Sequence, residues 1–357
     1  MARLFLSSLA VALIPAWGSA QVAVLPVIGS APETGLQYGV TAIHVRRSPV
    51  ADTRSTTAQL YAIATAKHQR QLFLERDWWA ASNARRVYTR LEWIDFPQPF
   101  HGIGWATAPE QEEYYRAGGA SLHAILMQRA RGPLFASASL SWIERTIKDR
   151  DPSGALVADD VVGNSGGRTV LPSVGLTWDS RDDVFAPTRG RFVEARAGAS
   201  RQGLGSDYDF SRTTLDARSY LRLGAATLAV QLYAERHVGS VPFDQMSLVG
   251  GNSVMRGYAR GRFRDKSLLT TQAELRLPAT RRLTLAAFGG WGQTGPTFGD
   301  AVSAFFWRGP AESAPLITAG GGARWRLFRE ARTSVRVDFA AGSHGASGLY
   351  IALNEAF

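Results

Sequence analysis

The sequence predicts an all-β fold, a transmembrane antiparallel β-barrel of about 16 strands, and three observations carry that prediction. The first is alternation with period two that continues to the end of the chain, setting one row of side chains toward lipid and the other toward an aqueous lumen. Thr214, Asp216, Arg218, Tyr220 and Arg222 interleave with Leu215, Ala217, Leu221 and Leu223. Gln272, Glu274 and Arg276 alternate with Ala273, Leu275 and Leu277, and Ser334, Arg336 and Asp338 with Val335, Val337 and Phe339. A soluble sandwich alternates too, but rarely sets so many arginines opposite its apolar face. The second observation is that, although 45% of residues are hydrophobic, no long uncharged apolar run follows residue 20. A bilayer would therefore be crossed by strands and not by helices. The third is the pairing of 36 glycines with 17 Phe, 10 Tyr and 10 Trp, since barrels use glycine in turns and aromatics in interfacial girdles.

Taken in order, the strand candidates run near residues 22–28, 34–47, 54–67, 69–80, 84–94, 112–131, 133–147 and 170–179. They continue at 190–202, 209–223, 225–236, 268–277, 281–291, 316–328, 331–341 and 347–357. Their connections give an independent check, because outer-membrane barrels alternate short periplasmic turns with longer external loops. Tight links fall at 131–133, at Gly224, at 278–281 and at 329–330, and long ones at 96–111, 148–168, 237–267 and 293–315. An even number of strands returns the C-terminus to the side on which the chain began.

Arg3, the apolar stretch from Leu4 to Trp17 and the small residues Gly18, Ser19 and Ala20 read as a secretory signal peptide cleaved before Gln21. The apolar part is too short to span a bilayer as a helix. The expected organisation is a leader over 1–20 and a barrel over 21–357, with no room for a folded periplasmic domain between them. The expected location is the outer membrane of a Gram-negative bacterium.

Two stretches carry a resemblance. Gly250-Gly251-Asn252-Ser253-Val254-Met255-Arg256-Gly257-Tyr258, followed by Gly261-Arg262-Phe263-Arg264-Asp265, resembles the long external loop of the BamA and TamA superfamily, the bacterial surface-antigen barrels. Trp178-Asp179-Ser180-Arg181-Asp182-Asp183 through Pro187-Thr188-Arg189-Gly190 is similar to the family's Asp-Ser/Thr-Arg-Asp periplasmic turn ending in Pro-x-x-Gly. Pro32-Glu33-Thr34-Gly35 and Phe100-His101-Gly102-Ile103-Gly104 also resemble family segments. The resemblance implies a long loop folded into the lumen, with Arg256, Gly257 and Tyr258 at its tip and Gly250 and Gly251 in its approach. A guanidinium in so narrow a bore needs a carboxylate partner. Glu274, on the following strand where the family also places an acid, is the expected anchor. The chain departs from the family at Phe288-Gly289-Gly290-Trp291-Gly292, where Gly290 stands in place of a second acid, leaving the anchor to Glu274 alone or to Glu274 with Asp338. The C-terminus carries an outer-membrane assembly signal of the family type, with Leu349, Ile351, Leu353 and Phe357 read as one face and Glu355 interrupting it.

Other chemistries find little support. The chain has no cysteine, which removes disulfides and thiolate sites. Gly290-Trp291-Gly292-Gln293-Thr294-Gly295 matches the dinucleotide fingerprint in form, but Pro296 follows where a helix N-terminus is required. Six histidines show neither metal-ligand spacing nor a nucleophile motif, so no catalytic residue, cofactor or metal is expected. The net charge of +10 is dispersed along alternating strands, which speaks against nucleic acid. The resemblance implies a barrel that assembles, translocates or organises material at the outer membrane, with a partner in the periplasm. Lipid and lipopolysaccharide would surround it, and the assembly machinery would insert it. The alternative is a passive pore in which Arg196, Arg218, Arg222, Arg276, Arg324 and Arg336 favour anions.

Overall fold

The computed structural model describes residues 12–14, 20–46, 48, 53–107, 112–306, 315–326 and 334–357. Sixteen antiparallel strands close into a barrel in sequence order. They are β1 (Ala20–Ala31), β2 (Gly35–Arg46), β3 (Thr56–Thr65), β4 (Arg70–Ala80), β5 (Arg85–Phe100), β6 (Glu113–Arg131), β7 (Leu134–Lys148) and β8 (Gly166–Asp179). The series ends with β9 (Gly190–Ser200), β10 (Phe210–Leu223), β11 (Ala226–Gly239), β12 (Ser267–Pro278), β13 (Leu283–Gly295), β14 (Leu316–Arg326), β15 (Ser334–Gly342) and β16 (Ser347–Leu353). Each of the sixteen expected segments forms a strand. The largest differences in bounds are that β5 runs on to Phe100, β8 begins at Gly166, β13 runs on to Gly295 and β16 stops at Leu353.

The burial pattern is that of a membrane barrel. Leu36, Tyr38, Leu74, Leu126, Val174, Leu176, Leu221, Leu223, Phe339 and Leu349 are exposed on the outer wall, whereas Gln231, Gln272, Glu274, Arg324, Arg336 and Asp338 are buried inside it. Register alone accounts for this inversion, because successive residues of a strand face opposite sides of the sheet. Trp78, Trp178 and Trp325 sit one or two residues from the ends of β4, β8 and β14 at the same rim and are exposed, as an interfacial girdle requires. Trp79 lies outside this girdle. It faces inward and is buried, with the guanidinium of Arg54 4.4 Å from its ring centroid.

The rim bearing the exposed tryptophans carries the short turns at 81–84, 132–133, 224–225 and 279–282; the opposite rim carries long connections at 101–112, 149–165 and 240–266. A four-residue helix, Ala155–Ala158, lies in the second of these, and an eight-residue helix, Phe298–Phe305, follows β13 at the same rim. Thr297 caps the second in a reciprocal box with Asp300.

Closure is uneven. β15 and β16 pair from Val335 with Leu353 to Ala341 with Ser347, yet β16 meets β1 in register only at Ile351 with Ser30. Pro26 lies in β1 and cannot donate to a neighbour, as tolerated on a sheet edge. Residues Ala12–Ile14 pair antiparallel with Val22–Val24 on the same strand. Most of the expected leader, 1–11 and 15–19, lies outside the described residues.

Candidate functional site

Residues 240–266 leave β11 and return into β12 by folding back against inward-facing side chains of five strands. Inside this segment Ser247–Val249 and Phe263–Asp265 form a two-stranded ribbon, and the stretch between them carries the Arg-Gly-Tyr sequence. Gly250 and Gly251 shape the entry to the tip: the Gly250 N–H donates to Val254 O at 3.2 Å and the Gly251 N–H to Tyr258 O at 3.1 Å.

Arg256 is 1% exposed and holds two carboxylates at once. Its Nη2 lies 2.6 Å from Glu274 Oε2, and its Nη1 2.5 Å from Asp338 Oδ2. The guanidinium also stacks over Phe288 at 3.5 Å. The expected Glu274 partner is therefore present, and of the two arrangements left open by the sequence, the one that adds Asp338 is found. Gly290 explains the departure from the family pattern sterically. A Cβ there would lie 2.8 Å from Met255 Sδ and 2.9 Å from Thr318 Cγ2, so the loop occupies the space that an acid on β13 would need.

Around this centre the contacts multiply. Gly257, at a φ of 120° that an L side chain rarely adopts, donates its N–H to Tyr350 Oη at 2.8 Å, and a Cβ would meet Thr318 and Ala341. Tyr258 is fully buried and donates to Ile317 O at 2.8 Å. Thr318 Oγ1 donates to Arg256 O, Gln272 Nε2 to Ser253 O at 2.6 Å, and Arg336 Nη2 to Asn252 O at 2.9 Å. Two other segments noted in the sequence also meet the loop: Glu33 accepts from Arg260 N at 3.4 Å, and Gly104 N donates to Arg264 O at 2.7 Å.

Beneath the tip, a charge network continues that sequence reasoning did not assemble. Arg324 bridges Glu274 at 3.0 Å, Asp338 at 2.6 Å and Glu355 at 3.1 Å. Arg276 reaches Glu274 at 2.8 Å, and Arg336 reaches Asp338 at 2.9 Å. Buried charges of one sign would be too costly to hold, and the acids two residues from arginines on β12 and β15 were the signal available.

The C-terminal residues depart from the expected single face. Asn354 adopts φ 59° and ends β16, after which Glu355 turns inward to Arg324. Phe357 is 5% exposed, packed with Tyr220 and Ala229, and its carbonyl accepts from Arg276 at 3.0 Å. Glu355 is thus an inward ion-pair partner and not a flaw in a lipid-facing row. The side chain of Leu353 lies outside the described residues.

At the opposite rim the Asp179 to Gly190 turn is held by contacts within itself and by Arg54, which reaches Asp179 at 3.7 Å. Asp179 accepts from Arg181 Nε at 2.9 Å and Nη2 at 3.0 Å, and Arg181 stacks over Phe192 at 4.5 Å. Asp182 accepts from Thr188 N at 2.9 Å, Thr188 Oγ1 at 2.6 Å and Arg189 N at 3.1 Å. Pro187 is buried within the turn and Gly190 opens β9.

Asp265 gives the loop a pH dependence. Burial raises its carboxyl to about 6, while the Lys266 backbone N–H and charge act to lower it. The folded chain then holds this proton more tightly than the unfolded chain, whose ordinary value is 3.8. The associated stability is full below about pH 4 and is lost as the pH rises through about 6. Asp265→Asn is expected to flatten that part of the urea-midpoint profile, and an unchanged profile would show that the carboxyl titrates normally.

The sequence profile described as the Omp85 superfamily domain matches residues 112–325. No curated protein sequence matches the chain significantly. Among solved structures, BamA from Haemophilus ducreyi lacking POTRA domains 1–3 is similar with a TM-score of 0.63 at 11% identity, over 97% of this chain and 75% of that one. CdiB from Acinetobacter baumannii gives 0.60 at 10% identity, over 97% of this chain and 65% of its own. CdiB from Escherichia coli gives 0.59 at 11% identity, over 99% and 68%. At such identities the likeness is one of fold.

Proposed function

The chain belongs to the Omp85 superfamily, and from that premise we propose that it works as an assembly or translocation barrel of the outer membrane, in concert with a partner protein. The observation that carries the reading is the seam. β1 and β16 share one register pair, while every other pair of neighbouring barrel strands shares an extended ladder. Backbone groups left unpaired at a strand edge are ready to pair with another strand. A client strand entering there would exchange its own backbone bonds for those of the wall. The leader over 1–20, removed during export, fits this location. So does the orientation in which the short turns and the Asp179 to Gly190 motif face the periplasm and the Arg256 loop enters from outside.

A pore without clients has less support. Arg196 and Arg218 pair with Glu194 and Asp216 at 3.0 and 2.5 Å, and Arg276, Arg324 and Arg336 belong to the buried network. Five of the six arginines named for an anion-favouring field are paired with acids. The site residues have no assigned catalytic part in this reading. The C-terminal Leu353 and Phe357 would serve the barrel's own insertion.

The double variant S30C/I351C tests the seam in a chain that has no other cysteines. We expect the two thiols to crosslink under oxidation, to leave heat-modifiable migration intact, and to abolish support of outer-membrane protein assembly in cells until reductant is added. Full activity of the crosslinked barrel would exclude passage through the seam.

A further inference from the structure

We propose that the outer wall at the short-turn rim carries a binding site for the headgroup of an anionic glycerophospholipid. The site is a groove of about 570 Å³ across β2, β3, β4 and β5. Its floor is made of the small side chains Ala58 and Thr56 on β3. One bank carries His44 and Arg46 on β2, and the other Arg76 and Trp78 on β4. Register sets the construction: His44 lies opposite Ala58, Ala58 opposite Arg76, and Arg46 opposite Thr56. The two arginines therefore flank a depression two strand spacings wide, roughly 9–10 Å, which a phosphate fills with a guanidinium reaching in from each side.

Arg46 and Arg76 are both exposed on the lipid-facing side, and neither forms an ion pair or hydrogen bond among the described residues. An unpaired outward arginine is costly at mid-depth and tolerated only near the interface, where a headgroup can meet it. Depth agrees, because Trp78 belongs to the same exposed girdle as Trp178 and Trp325. Leu60, Leu74 and Leu91 continue the outer surface from the groove toward mid-membrane, offering acyl chains an apolar track. From the rim inward Arg46 and Trp78 share the first level, Arg76 follows and Leu74 and Leu60 come next. Basic and aromatic groups thus hold the interfacial depth and leucines lie beyond it, the order of headgroup and acyl chain in one phospholipid molecule. The inference rests on the orientation set out under the proposed function, which makes this leaflet the phospholipid-containing periplasmic one.

The test is native mass spectrometry of the folded barrel in dodecyl maltoside micelles, titrated with phosphatidylglycerol, with phosphatidylcholine as a neutral control and lipid A as a competitor. One phosphatidylglycerol should be retained about tenfold more tightly than phosphatidylcholine, as charge-assisted contacts predict. The double variant R46Q/R76Q should lose that preference with heat-modifiable migration unchanged. Ala58→Trp, which fills the floor and keeps both charges, should lose it as well. Equal retention of the two phospholipids, phosphatidylglycerol held normally by either variant, or its displacement by lipid A would each overturn the proposal. None of these outcomes bears on the seam, which the S30C/I351C crosslink scores without lipid.

Discussion

Arg256→Ala is expected to lower the stability of the barrel by about 3 kcal/mol and to turn a quiet channel into a conducting one. The energetic part follows from burial. Arg256 is 1% exposed and contacts Glu274 and Asp338 at once, so its removal leaves two carboxylates short of a partner in a nearly dry setting. Breaking a buried pair costs about 3–5 kcal/mol, and the lower end applies because Arg324, Arg276 and Arg336 still touch those acids. The conducting part follows from position. Without the tip anchor, residues 240–266 lose the two ion pairs of Arg256 and keep hydrogen bonds such as Tyr258 to Ile317, Gln272 to Ser253 and Arg336 to Asn252. Arg256→Lys should fall between, because one ammonium cannot reproduce a fork that spans two acids. Urea midpoints and single-channel recordings in planar bilayers measure the two effects. An unchanged midpoint would show that the loop is held elsewhere, and a large steady current from the unaltered barrel would show that the loop does not close it.

How much of this was legible beforehand depends on the distance over which each feature is specified. Period-two alternation is local, so Leu275 outward and Glu274 inward could be read from adjacent letters, and all sixteen strands followed. The Arg256 to Glu274 contact was within reach because the motif and the next strand lie close in the chain. Asp338, 82 residues from Arg256, could only be offered as one of two options, since which strands face the loop tip depends on closure. The C-terminal turn was misread because parity continues only while the backbone stays extended. Asn354 leaves the extended region, and Glu355 and Phe357 then swing inside. The seam leaves no trace in composition at all. A strand with one lateral neighbour has the same alternating sequence as a strand with two.

Asp338→Ala should be the most damaging single change in the barrel, and Gly290→Asp should fail to repair it. Asp338 is fully buried and accepts from three guanidinia, Arg256 at 2.5 Å, Arg324 at 2.6 Å and Arg336 at 2.9 Å. Its loss strips Arg336 of the one carboxylate it contacts among the described residues and leaves positive charges facing each other, at a cost of about 3–5 kcal/mol. An aspartate at 290 would restore the acid count, but its Cβ must first displace Met255 Sδ and Thr318 Cγ2, both nearer than 3.0 Å. Overpacking of that kind costs about 1–3 kcal/mol by itself, so the double variant should be no more stable than D338A. Adding Met255→Ala removes the larger obstacle and should recover part of the loss. The ordering of urea midpoints across D338A, D338A/G290D and D338A/G290D/M255A separates steric exclusion from electrostatics. If G290D alone repaired D338A, acids on β13 and β15 would be interchangeable, and the position of Met255 would not be the reason that the chain carries glycine at 290.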